Sequence, residues 1–264
     1  MNIRRLVFAL LLAPVLLFSA IAITSRVEPV LLLPEFDSAA VAQIELSHGR
    51  DILLLVRERQ GNGWVIRSAA DAPGDTARIE ATLARIVATA GQPPADGAAP
   101  AAAGAAPMDV RLLDGAGNRL AELAFWSNRA KLLPDGPELA IARAPALPMW
   151  PSAWSSLRPP AIDIGKIARV QRLTPDGLRL LDDGDAARVG LVLGRLTAQG
   201  FRSGAEIDWR GSRMLRVRFV DGSSLDLAQV PDGEGRFFLR LASGDRRDVQ
   251  AVERFAFRVA ESLP

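Results

Sequence analysis

Two stretches of the chain follow one plan: VRLLDGAGNRLAELAF begins at Val110 and VRFVDGSSLDLAQV begins at Val217. Each sets an Asp-Gly pair, Asp114-Gly115 or Asp221-Gly222, between two runs that alternate apolar and polar residues. Alternation at period two buries one face of a strand, and Asp-Gly between such runs marks a hairpin. Upstream of each, a strand-like run recurs, VAQIEL from Val41 and IARVQRL from Ile167. A chain built this way folds as antiparallel sheet in two related halves, the second abbreviated.

The remaining pattern fills in a strands, helix, strands, helix unit. Ile52–Val56 and Trp64–Arg67 read as strands, as do Glu138–Arg143 and Arg236–Leu241. Ile79, Leu83, Ile86, Val87 and Ala90 recur at helical spacing behind the cap Asp75; Val189, Val192, Leu193 and Leu196 do so behind Asp185. Val252, Phe255, Ala256 and Val259 predict a last helix from Asp248. The Pro/Ala/Gly-rich run over residues 92–107 reads as a disordered loop. The predicted fold class is α+β, mainly antiparallel sheets with covering helices, divided as 1–26, 27–160 and 161–264.

Residues 1–26 predict the location. Leu6–Ile23 carries no charge over 18 residues and follows Arg4 and Arg5. As a helix the run spans about 27 Å, close to the roughly 30 Å hydrocarbon core of a bilayer. The paired arginines hold the amino end inside, so the rest of the chain lies outside, in the periplasm of a Gram-negative cell. A cleaved signal peptide is the competing reading, because Ala20-Ile21-Ala22 has the small-x-small form of a cleavage site. The run outlasts the usual apolar segment of a signal, which favours a retained inner-membrane anchor.

Composition removes whole classes of chemistry. There is no cysteine and only one histidine, so thiolate sites, disulfides and multi-histidine metal centres are excluded. The sequence pI of about 9.8 points toward nucleic acid, but the inference fails. Without residues 1–26, 29 basic side chains face 30 acidic ones. With no tyrosine or cysteine to buffer the midrange, a trivial excess of charge moves the pI far. No nucleic-acid partner, cofactor or metal is expected.

The stretch LLLPEFDSAAVAQIELSHGRDILLLVRERQGNGWVIRSAADAPGDTARIEATLARIVAT, with ALPMWPSAWSSLRPPAIDIGKIARVQRL further on, resembles the domain of unknown function 4340 family. The features that carry the likeness are Pro34-Glu35-Phe36, a strand pair closing on Gly63-Trp64, the helix DTARIEATLARI and a tryptophan-containing segment before an isoleucine-rich strand. The resemblance implies a single-span envelope protein, auxiliary to an ABC-type transporter, whose partners are inner-membrane lipid and transporter subunits. It supplies no catalytic residues.

Individual residues add little chemistry. His48 falls in a turn, where a triad base is less expected than a solvated side chain, and no nucleophile motif occurs. Asp182, Asp183 and Asp185 lack the downstream carboxylate of a calcium loop. Arg202, Arg210, Arg213, Arg216 and Arg218 cluster in sequence, with Arg216 and Arg218 on one strand face. Trp126, Trp150 and Trp154 are candidates for an aromatic surface, the last two spaced to share a helical face, though core packing is the plainer reading. These three tryptophans with Arg216 and Arg218 form the expected interaction surface, and no enzyme is expected. The alternatives are a periplasmic small-molecule or lipid-binding protein and an unrecognised hydrolase.

Overall fold

The structure is a computed structural model that describes residues 28–59, 63–94 and 106–264. The first half holds β1 (Val30–Leu31), β2 (Gln43–His48), β3 (Asp51–Arg57), β4 (Trp64–Ile66) and β5 (Ala72–Pro73), then helix α1 (Thr76–Val87). It continues through β6 (Ala90–Gly91), β7 (Met108–Leu113), β8 (Arg119–Phe125), β9 (Arg129–Leu132) and β10 (Glu138–Ala140). The second half holds β11 (Ile167–Thr174), β12 (Gly177–Leu180), helix α2 (Asp183–Gly194), β13 (Gly200–Ser203) and β14 (Arg213–Phe219). It ends with β15 (Ser224–Pro231), β16 (Phe237–Ala242), the short helix α3 (Arg247–Gln250) and β17 (Phe255–Val259).

These strands form a two-stranded ribbon, β1-β6, an eight-stranded sheet, ordered β10-β9-β8-β7-β2-β3-β4-β5, and a seven-stranded sheet, ordered β12-β11-β14-β15-β16-β17-β13. All the pairings are antiparallel. Both sheets share one plan at the centre. The strand that opens the hairpin before the helix (β2 or β11) lies against the strand that opens the meander after it (β7 or β14). Even the lead-in repeats: Asp37 caps a 3-10 turn at Ser38–Ala40 just before β2, and Asp163 caps one at Ile164–Lys166 just before β11.

Alternation explains which residues reach the core. Ile44 and Leu46 of β2, Leu53 and Leu55 of β3, and Val110 and Leu112 of β7 are buried, as are Leu215, Val217 and Phe219 of β14. Helix α1 adds Ile79, Leu83 and Ile86, and α2 adds Val189, Val192 and Leu193. Buried residues of both halves join in one apolar cluster running from Leu32 to Leu263. On the outer faces the centres match again. Arg111 bridges its cross-strand partners Glu45 at 2.8 Å and Glu122 at 2.9 Å. Arg216 stands between Gln171 and Asp226, bonding both oxygens of Asp226 at 2.7 Å.

Several sequence expectations are corrected. Residues 255–259 form strand β17 rather than a helix, and the helix there is the four-residue α3. Phe255, Ala256 and Phe257 are all buried, because Ala256 packs with Val230 and Phe238 on the opposite face of the sheet. Burial on both faces erases the alternation that marks a strand. Helix α2 is capped by Asp182, which accepts from the Asp185 amide at 2.8 Å, so the cap lies three residues before the expected one. The strand expected to reach Arg143 stops at Ala140. Gln92 still exchanges backbone bonds with Ala140, so the loop expected from 92 begins later; residues 95–105 of that segment lie outside the described residues. The expected anchor also lies outside them, and no helix of the described residues is long and apolar enough to cross a membrane.

Candidate interaction surface

The segment joining the halves is laced to the first sheet by its tryptophan. Trp154 is 2% exposed; its Nε1 donates to Pro148 O at 2.7 Å and its carbonyl accepts from the Asp75 amide at 2.7 Å. Ser155 Oγ donates to Pro73 O at 2.8 Å, and Arg254 of the second half donates to Asp71 O at 2.8 Å. Trp154 is therefore core at the seam and leaves the expected surface. The reason is local: Pro151–Ala153 is a 3-10 turn, in which residues four apart do not share a face. Trp150, at the start of that turn, is 63% exposed.

Trp150 borders a cavity of about 260 Å³ at the seam, lined also by Arg202, Phe238, Asp232 and Arg258. The Arg202 guanidinium lies 5.5 Å from the Phe238 ring centre and makes no ion pair among the described residues. Asp232, whose side chain is 2% exposed, accepts from Arg258 Nε at 2.6 Å and from the amides of Glu234 and Arg236. Desolvation works against its charge, but these donors outweigh it and hold the carboxyl below its ordinary value of 3.8. Asp232 is thus a fixed anion that locks the β15–β16 turn, leaving the exposed Trp150, and Arg202 above the buried Phe238 ring, as the groups that can meet a partner. Tryptophan and arginine are the residue types most enriched where interfaces bind tightly. Phe238 and Asp232 were not among the expected residues; the only sequence signal for them is Asp232-Gly233 between two alternating runs.

The other expected residues do not line this cavity. Trp126 is half-buried and lines a separate cavity of about 330 Å³ with His48, Met108, Phe125 and Leu147. His48 Nδ1 lies 3.1 Å from Pro107 O; a carbonyl only accepts, so Nδ1 carries the proton. Arg216 is neutralised by Asp226, and Arg218 is half-buried with Nε unbonded. Arg210 pairs with Asp208 at 2.7 Å and Arg213 bonds Leu263 O at 2.7 Å, while Arg216 and Arg218 share the outer face of β14, as expected. A groove of about 790 Å³ over β3 and β4 is bordered by Arg57, held by Glu80 at 2.9 Å, and Arg67, held by Asp71 at 3.1 Å.

Asp182, Asp183 and Asp185 occupy the cap and first turn of α2, and no group of metal-ligating side chains occurs among the described residues. Asp109 is pushed above its ordinary value, first by burial and then by Glu122. It stands in mid-strand opposite Ser47 and Ala124, and His48 Nδ1 is committed to Pro107, so no proton relay is assembled. No protein-family model matches the chain, and no curated protein or solved structure does so.

Proposed function

We propose that this chain is a membrane-anchored periplasmic accessory protein, auxiliary to an ABC-type transport complex and without an enzymatic role of its own. The observation that carries the reading is the uncharged run Leu6–Ile23 behind Arg4 and Arg5, long enough for one span and oriented with the bulk of the chain outside. The resemblance of residues 31–173 to the domain of unknown function 4340 family supports the transporter link. The partner-facing groups are Trp150 and Arg202 at the seam, Arg202 resting over the buried Phe238 ring, an aromatic and cationic pair. Two β-rich halves sharing one core make a suitable scaffold, because docking surfaces need rigidity more than a deep cavity.

A reporter enzyme that folds only outside the cytosol, fused after Pro264, tests the location: activity in the membrane fraction is expected, and a cytosolic reporter refutes it. Co-purification from detergent-solubilised membranes tests the role. ATPase and permease subunits are expected to accompany the wild-type chain and to be lost with Trp150→Ala; their absence from the wild-type preparation counts against the complex.

A further inference from the structure

Three of the four edges of the two large sheets are covered by the chain itself. Beyond β10, Gln92 bonds Ala140 in both directions, at 3.0 and 2.8 Å. Beyond β5, Ser155 bridges Gly74 and the Ser156 amide donates to Pro73 O at 3.1 Å. Against β13 packs the turn Pro151–Ala153. The fourth edge is β12, which has β11 on one side and, among the described residues, no strand on the other. In the first half the matching strand, β3, carries β4 and β5 beyond it. The second half has only Leu181 and Asp182 between β12 and α2, too few residues to supply a β4 of its own.

The open edge is built for pairing. Backbone bonds in an antiparallel pair alternate sides along each strand. The Leu181 amide donates to Val170 O at 3.0 Å, and the register sets Arg172 against Arg179 and Thr174 against Gly177. Gly177 and Arg179 therefore direct their backbone groups to β11, while the N–H and C=O of Leu178 and Leu180 point away from it. All of β12 is exposed, with Leu178, Leu180 at 69%, and their neighbour Leu173 forming an apolar strip on one face. On the other face Arg179 stands directly opposite Arg172, a like-charge pair relieved only by the exposed Asp176 at 2.9 Å. Natural sheets guard an edge by covering it, shortening it or charging it; β12 is short and carries one arginine, and nothing among the described residues covers it.

We propose that β12 accepts an extended segment of a partner protein as an added antiparallel strand, its apolar residues against Leu178 and Leu180 and its carboxylates against Arg179. Charge selects the partner. A second copy of this chain paired about Arg179 would stack Arg179 on Arg179, and one paired about Leu178 would set Arg179 against Gly177 and Leu180 against Asp176, whereas an acidic and apolar strand satisfies both faces. The proposal goes beyond the envelope reading and holds wherever the chain resides.

The full chain in detergent micelles can be titrated against fluorescent ten-residue peptides alternating valine with aspartate or valine with lysine, read by anisotropy. Saturable binding of the acidic peptide is expected, with the basic one weaker by about tenfold. Leu180→Pro removes one outward N–H without touching a bond to β11, and is expected to weaken binding by about fivefold. Arg179→Glu is expected to invert the preference. Failure of the acidic peptide to bind, equal binding of both peptides, or an unchanged Leu180→Pro overturns the proposal, and the peptide pair decides it even if a variant misfolds. Self-association abolished by Leu180→Pro would overturn it in favour of a second copy.

Discussion

The two sheets agree at their centres and differ at their rims. Around β2 and β7 in one, and β11 and β14 in the other, the strand order, the capped lead-in turn and the outward arginine bridge all repeat. Past that centre the first sheet is closed on both sides, while the second is closed at β13 and open at β12. The difference locates the adaptable part of the molecule: a shared centre secures folding, and the edge that nothing covers is where new pairing can occur.

The seam is where this comparison breaks most violently. Trp154→Ala removes a fully packed indole that belongs to the single core spanning both halves. A loss of about 3–5 kcal/mol is expected, with both sheets melting together in a denaturant titration followed by circular dichroism. Trp150→Ala, at the exposed end of the same turn, is expected to change stability by less than about 0.5 kcal/mol. Two separate melting transitions in Trp154→Ala, or equal losses in the two variants, would contradict the shared core.

A smaller change would make the first sheet resemble the second. A Cβ on Gly91 would collide with Ala140 O and press on Leu139 and Ile141, the contacts by which the β1–β6 ribbon seals β10. Gly91→Ala is expected to cost about 1–3 kcal/mol and to speed hydrogen exchange at Ala140, while β11–β12 amides stay unchanged.

Acid sharpens the comparison least. Asp232 in the second sheet has a folded value below its ordinary 3.8, so it contributes stability above that value and loses it as the pH falls through the folded one. Asp109 in the first sheet is raised, so its contribution favours folding below 3.8 and is lost as the pH rises through its folded value. In stability curves between pH 2 and 7, Asp232→Asn is expected to flatten the acid limb and Asp109→Asn to stabilise slightly at pH 7. The same sign for both would be contrary.

Much of the centre was legible in sequence. Alternation found β2, β3, β7, β8, β14 and β15, and the cap Asp75 was placed correctly. The Asp-Gly pairs marked both hairpins, but as longer loops: Asp114 gathers the amides of Ala116 and Asn118 at 2.8 Å, and the positive φ falls on Gly117. The rims were legible only in part: β4 and β10 were expected, the latter three residues too long. β9, β12 and β13 have four residues each, too few for a period to declare itself, although Asp176-Gly177 with φ of 115° at the glycine was a usable signal for β12. The surface was half legible. Trp150 is exposed, but Trp154 and Arg216 had partners that only the folded chain reveals, a proline carbonyl and a cross-strand aspartate.

Amide hydrogen exchange in the full chain, resolved by residue along 177–181, addresses the open edge directly. The account expects Leu178 and Leu180 to exchange as fast as a loop while Arg179 and Leu181, bonded to β11, stay protected, and Ala140 to be protected at the sealed edge of the first sheet. Protection of Leu178 and Leu180 equal to that of Arg179 would mean that the edge is already covered.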